Sequence, residues 1–303
     1  MRKSYILIDP IIHIKMKKLS YSIAPEKDYT KAKFVIVPVP YDKTSTWIKG
    51  ADKGPEALLE ASTKMELYDI ETETEVYKSG IFTDSRIEEK STPEKMVQSV
   101  KKRVKNHLDK GKLTVVIGGE HSVSIGAIQA HAEKFKDMCV LQLDAHSDLR
   151  NEYHGSRYNH GCVMARAKEV CPNIIQVGIR SMGFEELKNM EKDKVFFTQK
   201  MQMNWIEKVI SKLSKKVYLT IDLDVFDPSI MPSTGTPEPG GLFWYDALKL
   251  LRKVIENREL IGFDVVELCP SKNYKAADFL AALLIYKILS YHEKFYKLDK
   301  KSS

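Results

Sequence analysis

Apolar residues in this chain fall into short continuous runs separated by longer stretches of helical periodicity. KFVIVPVP (33–40) reads as a strand buried on both faces and closed by its prolines. Similar runs predict strands at 113–118, 139–144, 174–180, 195–198, 217–223 and 260–267. Gly54-Pro55 opens a helix through Ala57, Leu58 and Leu59, with Pro55 in a first turn where its missing N–H costs nothing. Thr92-Pro93-Glu94 opens another, which Gly111 ends. Further helices are expected at 122–136, 183–191, 202–214, 244–257 and from about 274. Strands joined through helices of this length pair in parallel, so the predicted fold is α/β: a three-layer αβα sandwich around a mainly parallel, doubly wound sheet. No low-complexity linker or internal repeat interrupts it. Residues 1–32 read as an N-terminal extension, a candidate oligomer contact, and 33–303 as one domain.

Composition adds limits rather than a function. A hydrophobic fraction of 43% over 303 residues supports a full core. The net charge of +7 is dispersed over Lys-rich stretches such as 94–112, which read as solvated helix faces. No nucleic-acid-binding motif accompanies them, so a nucleic-acid partner is not expected. Cys139, Cys162, Cys171 and Cys269 have no C-x-x-C spacing and read as reduced, mainly buried thiols of a cytoplasmic protein. YILIDPIIHI is broken by Asp9, Pro10 and His13 and makes a poor signal sequence. No run approaches the ~18 apolar residues of a membrane span, so no membrane partner is expected.

The chemistry is concentrated in two short runs, Asp144-Ala145-His146-Ser147-Asp148 and Asp222-Leu223-Asp224. Along an extended backbone i, i+2 and i+4 project the same way, so each run aims its ligand-type side chains at one point. Both follow strand-like segments, where sites form in open α/β sheets. Gly118-Gly119-Glu120-His121-Ser122 ends a third strand and adds His121. A lone D-x-D is usually a turn cap or a lysine partner; these three elements together point to metal. Carboxylates and imidazoles without thiolate suit Mn²⁺, Mg²⁺ or Fe²⁺ better than structural Zn²⁺. Six donors are too many for one tetrahedral ion and suit two ions roughly 3.5–4 Å apart, with a bridging hydroxide available near neutral pH. His121 and Asp148 are expected to complete different coordination shells.

G-G-E-H-S, D-A-H-S-D, the run Thr220-Ile221-Asp222-Leu223-Asp224-Val225-Phe226-Asp227-Pro228, and Gly262-Phe263-Asp264-Val265-Val266-Glu267 occur in the order found in ureohydrolases. The chain resembles that arginase and agmatinase family from about Lys33 to near Tyr291. The resemblance implies that 33–303 is a ureohydrolase catalytic domain whose two Mn²⁺ are held by His121, Asp144, His146, Asp148, Asp222 and Asp224. It also implies a homo-oligomer, trimer or hexamer, and a small guanidino substrate hydrolysed by the metal-bridging hydroxide. Glu120 stands where many members have Asp, at a position that is not a ligand.

Other residues acquire candidate roles from the same comparison. Glu267 ends a strand at the metal edge, and a carboxylate accepts two parallel hydrogen bonds from a guanidinium; the resemblance makes it a catalytic, substrate-orienting group. His160, in a loop beyond Asp148, can pass protons to a leaving amine. Thr236, in the Gly/Pro-rich loop 233–241, matches a substrate-bordering position. Asp227 and Asp264 read as loop-structuring groups, and His13, His107, His131, His154 and His292 as unconnected with the chemistry. The loop LRNEYHGSRYN (149–159) resembles agmatinases and lacks the Asn- and Ser-rich stretch with which arginases hold an amino-acid head. Agmatine, cleaved to putrescine and urea in polyamine biosynthesis, is thus the expected substrate, with Glu152 the candidate acceptor for its distal ammonium. Arg150 and Arg157 argue the other way if they face inward, toward guanidinobutyrate or arginine. A mononuclear zinc deacetylase of related fold, or an inactive ligand-binding relative, are the readings from other classes.

Overall fold

The computed structural model describes residues 19–299; most of the predicted extension, residues 1–18, and the last residues, 300–303, lie outside that range. The elements in order are β1 (Phe34–Val39), α1 (Gly54–Ser62), β2 (Ile81–Thr83), α2 (Pro93–Leu108), β3 (Leu113–Gly118), α3 (Val123–Lys134), β4 (Met138–Leu143) and α4 (Val163–Lys168). Then follow β5 (Ile174–Ile179), β6 (Val195–Phe197), α5 (Trp205–Lys212), β7 (Lys216–Asp222), α6 (Trp244–Asn257), β8 (Glu259–Val266) and α7 (Ala276–Asp299). The strands form one eight-stranded sheet in the order β2-β1-β3-β8-β7-β4-β5-β6. Every pairing is parallel.

The continuous apolar runs are explained by burial of both sheet faces. Alternate residues divide between two cores. Phe34, Ile36, Val115, Ile117, Leu141 and Leu143 pack under α1, α5, α6 and α7. Val35, Val37, Val116 and Val140 face α2, α3 and α4 on the other side. That is the three-layer sandwich. The helix starts follow ordinary capping: the Thr92 side chain accepts the Lys95 N–H, with Pro93 in the first turn. Gly126 of α3 lets α2 approach closely, since a Cβ there would lie 2.3 Å from the Val97 carbonyl oxygen.

One expectation is corrected. The segment 183–191 is not an α-helix but a 3-10 turn, Phe184–Asn189, wound around the buried Glu186, whose side chain accepts the Gly183 N–H. β2 and the short α4 were not foreseen, being too brief to show a period. The described part of the N-terminal region packs on the domain: the Tyr21 hydroxyl donates to the Ala282 carbonyl at 2.7 Å, and the Ser22 N–H to the Ser62 hydroxyl. All four cysteines are free thiols, with Cys139, Cys162 and Cys171 buried. No helix among the described residues is long and apolar enough to cross a membrane.

Candidate metal centre

Four neighbouring central strands, β3, β8, β7 and β4, deliver the site residues from their carboxyl ends. β3 runs into Gly119-Glu120-His121. Gly119 lies so close to β1's following loop that a Cβ would fall 1.9 Å from the Tyr41 carbonyl oxygen. β4 ends at Leu143 and releases Asp144, His146 and Asp148, while Ala145 and Ser147 turn into the protein and are buried. β7 ends on Asp222, and Asp224 lies in the 3-10 turn that follows, its N–H donated to Asp222 Oδ1. Asp148 and Glu267 both hold positive φ, 52° and 66°, the left-handed region that non-glycine residues rarely occupy.

The six residues named from sequence converge. His121 Nδ1 lies 3.1 Å from Asp144 Oδ2, 3.1 Å from Asp148 Oδ2 and 3.4 Å from Asp222 Oδ2. His146 Nδ1 lies 2.8 Å from Asp224 Oδ2 and 3.7 Å from Asp144 Oδ1. They form two groups that can each hold an ion, His121–Asp144–Asp148 and Asp144–His146–Asp224, and Asp144 offers one oxygen to each. The expectation that His121 and Asp148 serve different shells is therefore corrected: both lie on the same side of Asp144, because a turn at Asp148 swings its carboxylate back toward β3.

The surroundings fit divalent cations. His121 Nε2 lies 2.8 Å from the Thr220 hydroxyl, which donates to Asp264 Oδ1 at 2.8 Å. The hydroxyl's only hydrogen is thus used, so Nε2 carries a proton and Nδ1 is the nitrogen left to face an ion. That buried Nδ1 has no hydrogen-bond partner, yet three carboxylates face it. Four buried carboxylates against two imidazoles remain net negative by two even with both rings protonated. Burial, then the charge of Asp144, pushes Asp148 up to about 7. Burial, then Asp224 and Asp144, drives Asp222 well above the carboxylate range. His146 is pushed up to about 12, the Asp224 and Asp144 charges overcoming its burial. Such a cluster calls for cations, and hard oxygen and imidazole donors suit Mn²⁺. Asp264 proves to be a buried strand residue that also accepts the Tyr218 hydroxyl at 2.7 Å, rather than a loop group. Asp227 does structure its loop, accepting the Gly240 N–H.

Above the carboxylates opens a cleft lined by Trp47, Arg150, Tyr153, His160, Thr236 and Glu267 among others. Glu267 Oε1 accepts the His121 N–H at 2.7 Å, and Oε2 points toward Gly235 on the cleft wall. Burial, then the Glu120 charge, raises its pKa well above the usual range. His160 is held at about 4, by burial and then by His146 and His121. Arg150 donates to Glu185 at 3.0 Å, lies 3.0 Å from Glu186 and stacks over the Tyr153 ring. Arg157 pairs with Glu169 at 2.6 Å. Glu152 is exposed and does not line the cleft. Sequence reasoning missed Trp47, 69% exposed at the rim, and Thr44, which touches His160. It also missed Arg180, whose guanidinium donates to the Asp224, Glu238 and Pro239 carbonyls and ties the 233–241 loop to the turn after β7. None of these three belongs to a motif.

The Arginase family model matches residues 32–290. The N(1)-aminopropylagmatine ureohydrolase of Synechocystis is 38% identical, covering 87% of this chain and 90% of that protein. An enzyme of the same name from Thermus thermophilus is 35% identical, covering 86% of this chain and 91% of that protein. The crystal structure of the agmatine ureohydrolase of Thermoplasma volcanium superposes with a TM-score of 0.85 at 32% identity, over 94% of this chain and 97% of that one.

Proposed function

The chain belongs to the arginase family and is a hydrolase of its ureohydrolase type, and on that premise we propose that it cleaves a guanidino compound with a cationic tail. N1-aminopropylagmatine is the substrate we favour, and agmatine is the shorter alternative. Loss of urea leaves an aminopropyl-substituted putrescine, which is spermidine, from the first and putrescine from the second.

The observation that carries this reading is the state of the loop arginines. Arg150, which lines the cleft, is engaged by Glu185 and Glu186, so its one positive charge is offset by two carboxylates that pair with it. Arg157 is taken up by Glu169. Neither guanidinium is free to receive the carboxylate of arginine or guanidinobutyrate, and the surplus charge favours an ammonium. The exposed Trp47 face at the rim adds a surface on which an alkylammonium can rest. The relatives at 35–38% identity supply the preference for the longer tail.

His121, Asp144, His146, Asp148, Asp222 and Asp224 would hold two Mn²⁺, which when bound polarise the substrate and lower the pKa of bound water toward neutrality. Glu267, one oxygen fixed by the His121 N–H, offers the other to guanidinium N–H groups and orients the planar carbon. His160, largely neutral at neutral pH, relays a proton at Nε2 to the departing amine rather than storing one. Thr236 borders the guanidinium. Glu152, being exposed, can meet only a tail that extends beyond the cleft.

The test is urea release from N1-aminopropylagmatine, agmatine, arginine and guanidinobutyrate by Mn²⁺-loaded enzyme, compared as kcat/KM. Both cationic-tail substrates should exceed both carboxylate-bearing ones. Preference for arginine or guanidinobutyrate would overturn the substrate reading, and release of urea from none would overturn the activity.

A further inference from the structure

Thr44 has no place in any motif, yet it touches His160 twice. The His160 backbone N–H donates to Thr44 Oγ1 at 3.0 Å, and His160 Nδ1 lies 3.2 Å from the same oxygen. On its other side, Thr44 Oγ1 lies 2.5 Å from Glu120 Oε2, and the Thr44 N–H donates to that oxygen at 2.8 Å. The Ser122 hydroxyl donates to the remaining oxygen, Oε1. Glu120 is fully buried, so its carboxylate is pinned between two loops and cannot turn to water.

The direction of each bond follows from counting hydrogens. A hydroxyl has one hydrogen and two acceptor lone pairs. The carboxylate, already taking an N–H from the same residue, takes the Thr44 hydrogen. Both lone pairs of Oγ1 then face His160, and its Nδ1 has to be the donor. We propose that Thr44 is a positioning residue for His160: it fixes the imidazole as the Nδ1–H tautomer and leaves Nε2 as the atom that faces the cleft, with Glu120 locking Thr44 in that role. This rests on the assignment of His160 as the proton relay. It goes beyond that assignment by naming what holds the ring and which nitrogen acts. It also gives the buried Glu120 a task that no metal contact explains.

Thr44→Val keeps the shape of the side chain and removes the hydroxyl, whereas Thr44→Ser keeps the hydroxyl. Thr44→Val should lower kcat about 10- to 100-fold, because a misplaced proton relay loses most of its contribution. KM and metal content should not change, and Thr44→Ser should restore most of kcat. His160→Asn and the double variant Thr44→Val/His160→Asn should be equally slow, as expected if Thr44 acts only through the imidazole. Independently of activity, ¹⁵N-histidine NMR of Mg²⁺-loaded protein should show His160 protonated at Nδ1, with that state lost in Thr44→Val. His160 found as the Nε2–H tautomer, or parental kcat in Thr44→Val beside a slow His160→Asn, would overturn this inference and leave the functional reading standing. Full activity in His160→Asn would remove His160 from the reaction and overturn both this inference and the relay assignment, while the hydrolysis itself would stand.

Discussion

Glu267→Gln separates substrate orientation from metal binding. In the native protein Oε1 accepts the His121 N–H at 2.7 Å, and Oε2 is left for the cleft. Glutamine can keep the first of these bonds through its amide oxygen, so the turn after β8 and the position of His121 should survive. Its NH₂ group then occupies the place of Oε2 and presents hydrogens to a guanidinium that also has only hydrogens to offer. The variant loses a charge-assisted hydrogen bond worth roughly 1.5–3 kcal/mol, in a buried position where solvent screens little. At about 1.36 kcal/mol per factor of ten, kcat/KM should fall between about 10- and 150-fold. The donor–donor encounter pushes the value toward the upper end. Urea release should be measured under first-order conditions with agmatine and with N1-aminopropylagmatine, alongside elemental analysis of the protein. Two ions per chain with reduced kcat/KM on both substrates is the expected result. Unchanged kinetics would refute the orienting role, and loss of an ion would mean that the His121 contact, not the substrate, is what Glu267 serves.

The two groups around Asp144 predict a pattern of metal loss: His121→Asn and Asp148→Asn should weaken the same ion, His146→Asn and Asp224→Asn the other, and Asp144→Asn both. Metal titration of the variants checks this, and loss of different ions in His121→Asn and Asp148→Asn would contradict the grouping. Glu186→Ala should cost about 3 kcal/mol or more, since it leaves Arg150 and the N–H groups of Leu149 and Gly183 without their buried acceptor; a change below about 1 kcal/mol in denaturant unfolding would show that solvent replaces it. Burial holds His131 down at about 4 and His292, beside Lys33, at about 3, so both are neutral when folded. As pH drops below the unfolded value of about 6.5, the unfolded chain gains protons the folded one refuses, and stability should fall by up to about 1.4 kcal/mol per pH unit for each. Unfolding free energies measured from about pH 7 to about 4.5 for the parent and a His292→Phe variant should differ in slope by up to about 1.4 kcal/mol per pH unit, with the other titrating groups common to both; equal slopes would remove His292 from the account.

What could be read from the sequence follows from which signals are periodic and local. The strands from 113 to 118, 139 to 144 and 217 to 223 lie within a residue of their expected limits, because burial on both faces leaves an uninterrupted apolar run. Parallel pairing was legible too, since β1, β3, β6 and β7 are each followed by an expected helix that crosses back, whereas β4 is followed only by the short, unforeseen α4. The alternation Asp144–His146–Asp148 gave the right side of the chain for all three residues, with Ala145 and Ser147 buried on the opposite side. It did not give their grouping. That depends on the positive φ at Asp148, a tertiary consequence with no local signature. Thr44, Trp47 and Arg180 were invisible for a related reason: each acts on residues tens of positions away, through contacts that appear only when loops meet.

The division between legible and illegible residues also has an energetic side. The residues legible at the site are chemically costly to bury: like charges packed together, and a histidine nitrogen facing carboxylates with no hydrogen-bond partner. Such residues stand out because folding alone gives no reason to place them at the ends of apolar strands. The residues whose roles were illegible are the ones that make this arrangement tolerable. Gln142 donates to Asp144 Oδ2 at 2.7 Å and is itself held by Gln176. Asp264 and Thr220 fix the His121 tautomer, and Glu186 gathers the N–H and hydroxyl groups of the Asp144–Asp148 turn. Each is an ordinary polar residue within or beside an apolar run, and only its partner gives it meaning. The carboxylates and histidines state what can be bound, while the amides, hydroxyls and buried glutamates around them determine which nitrogen and which oxygen face the ion and the substrate.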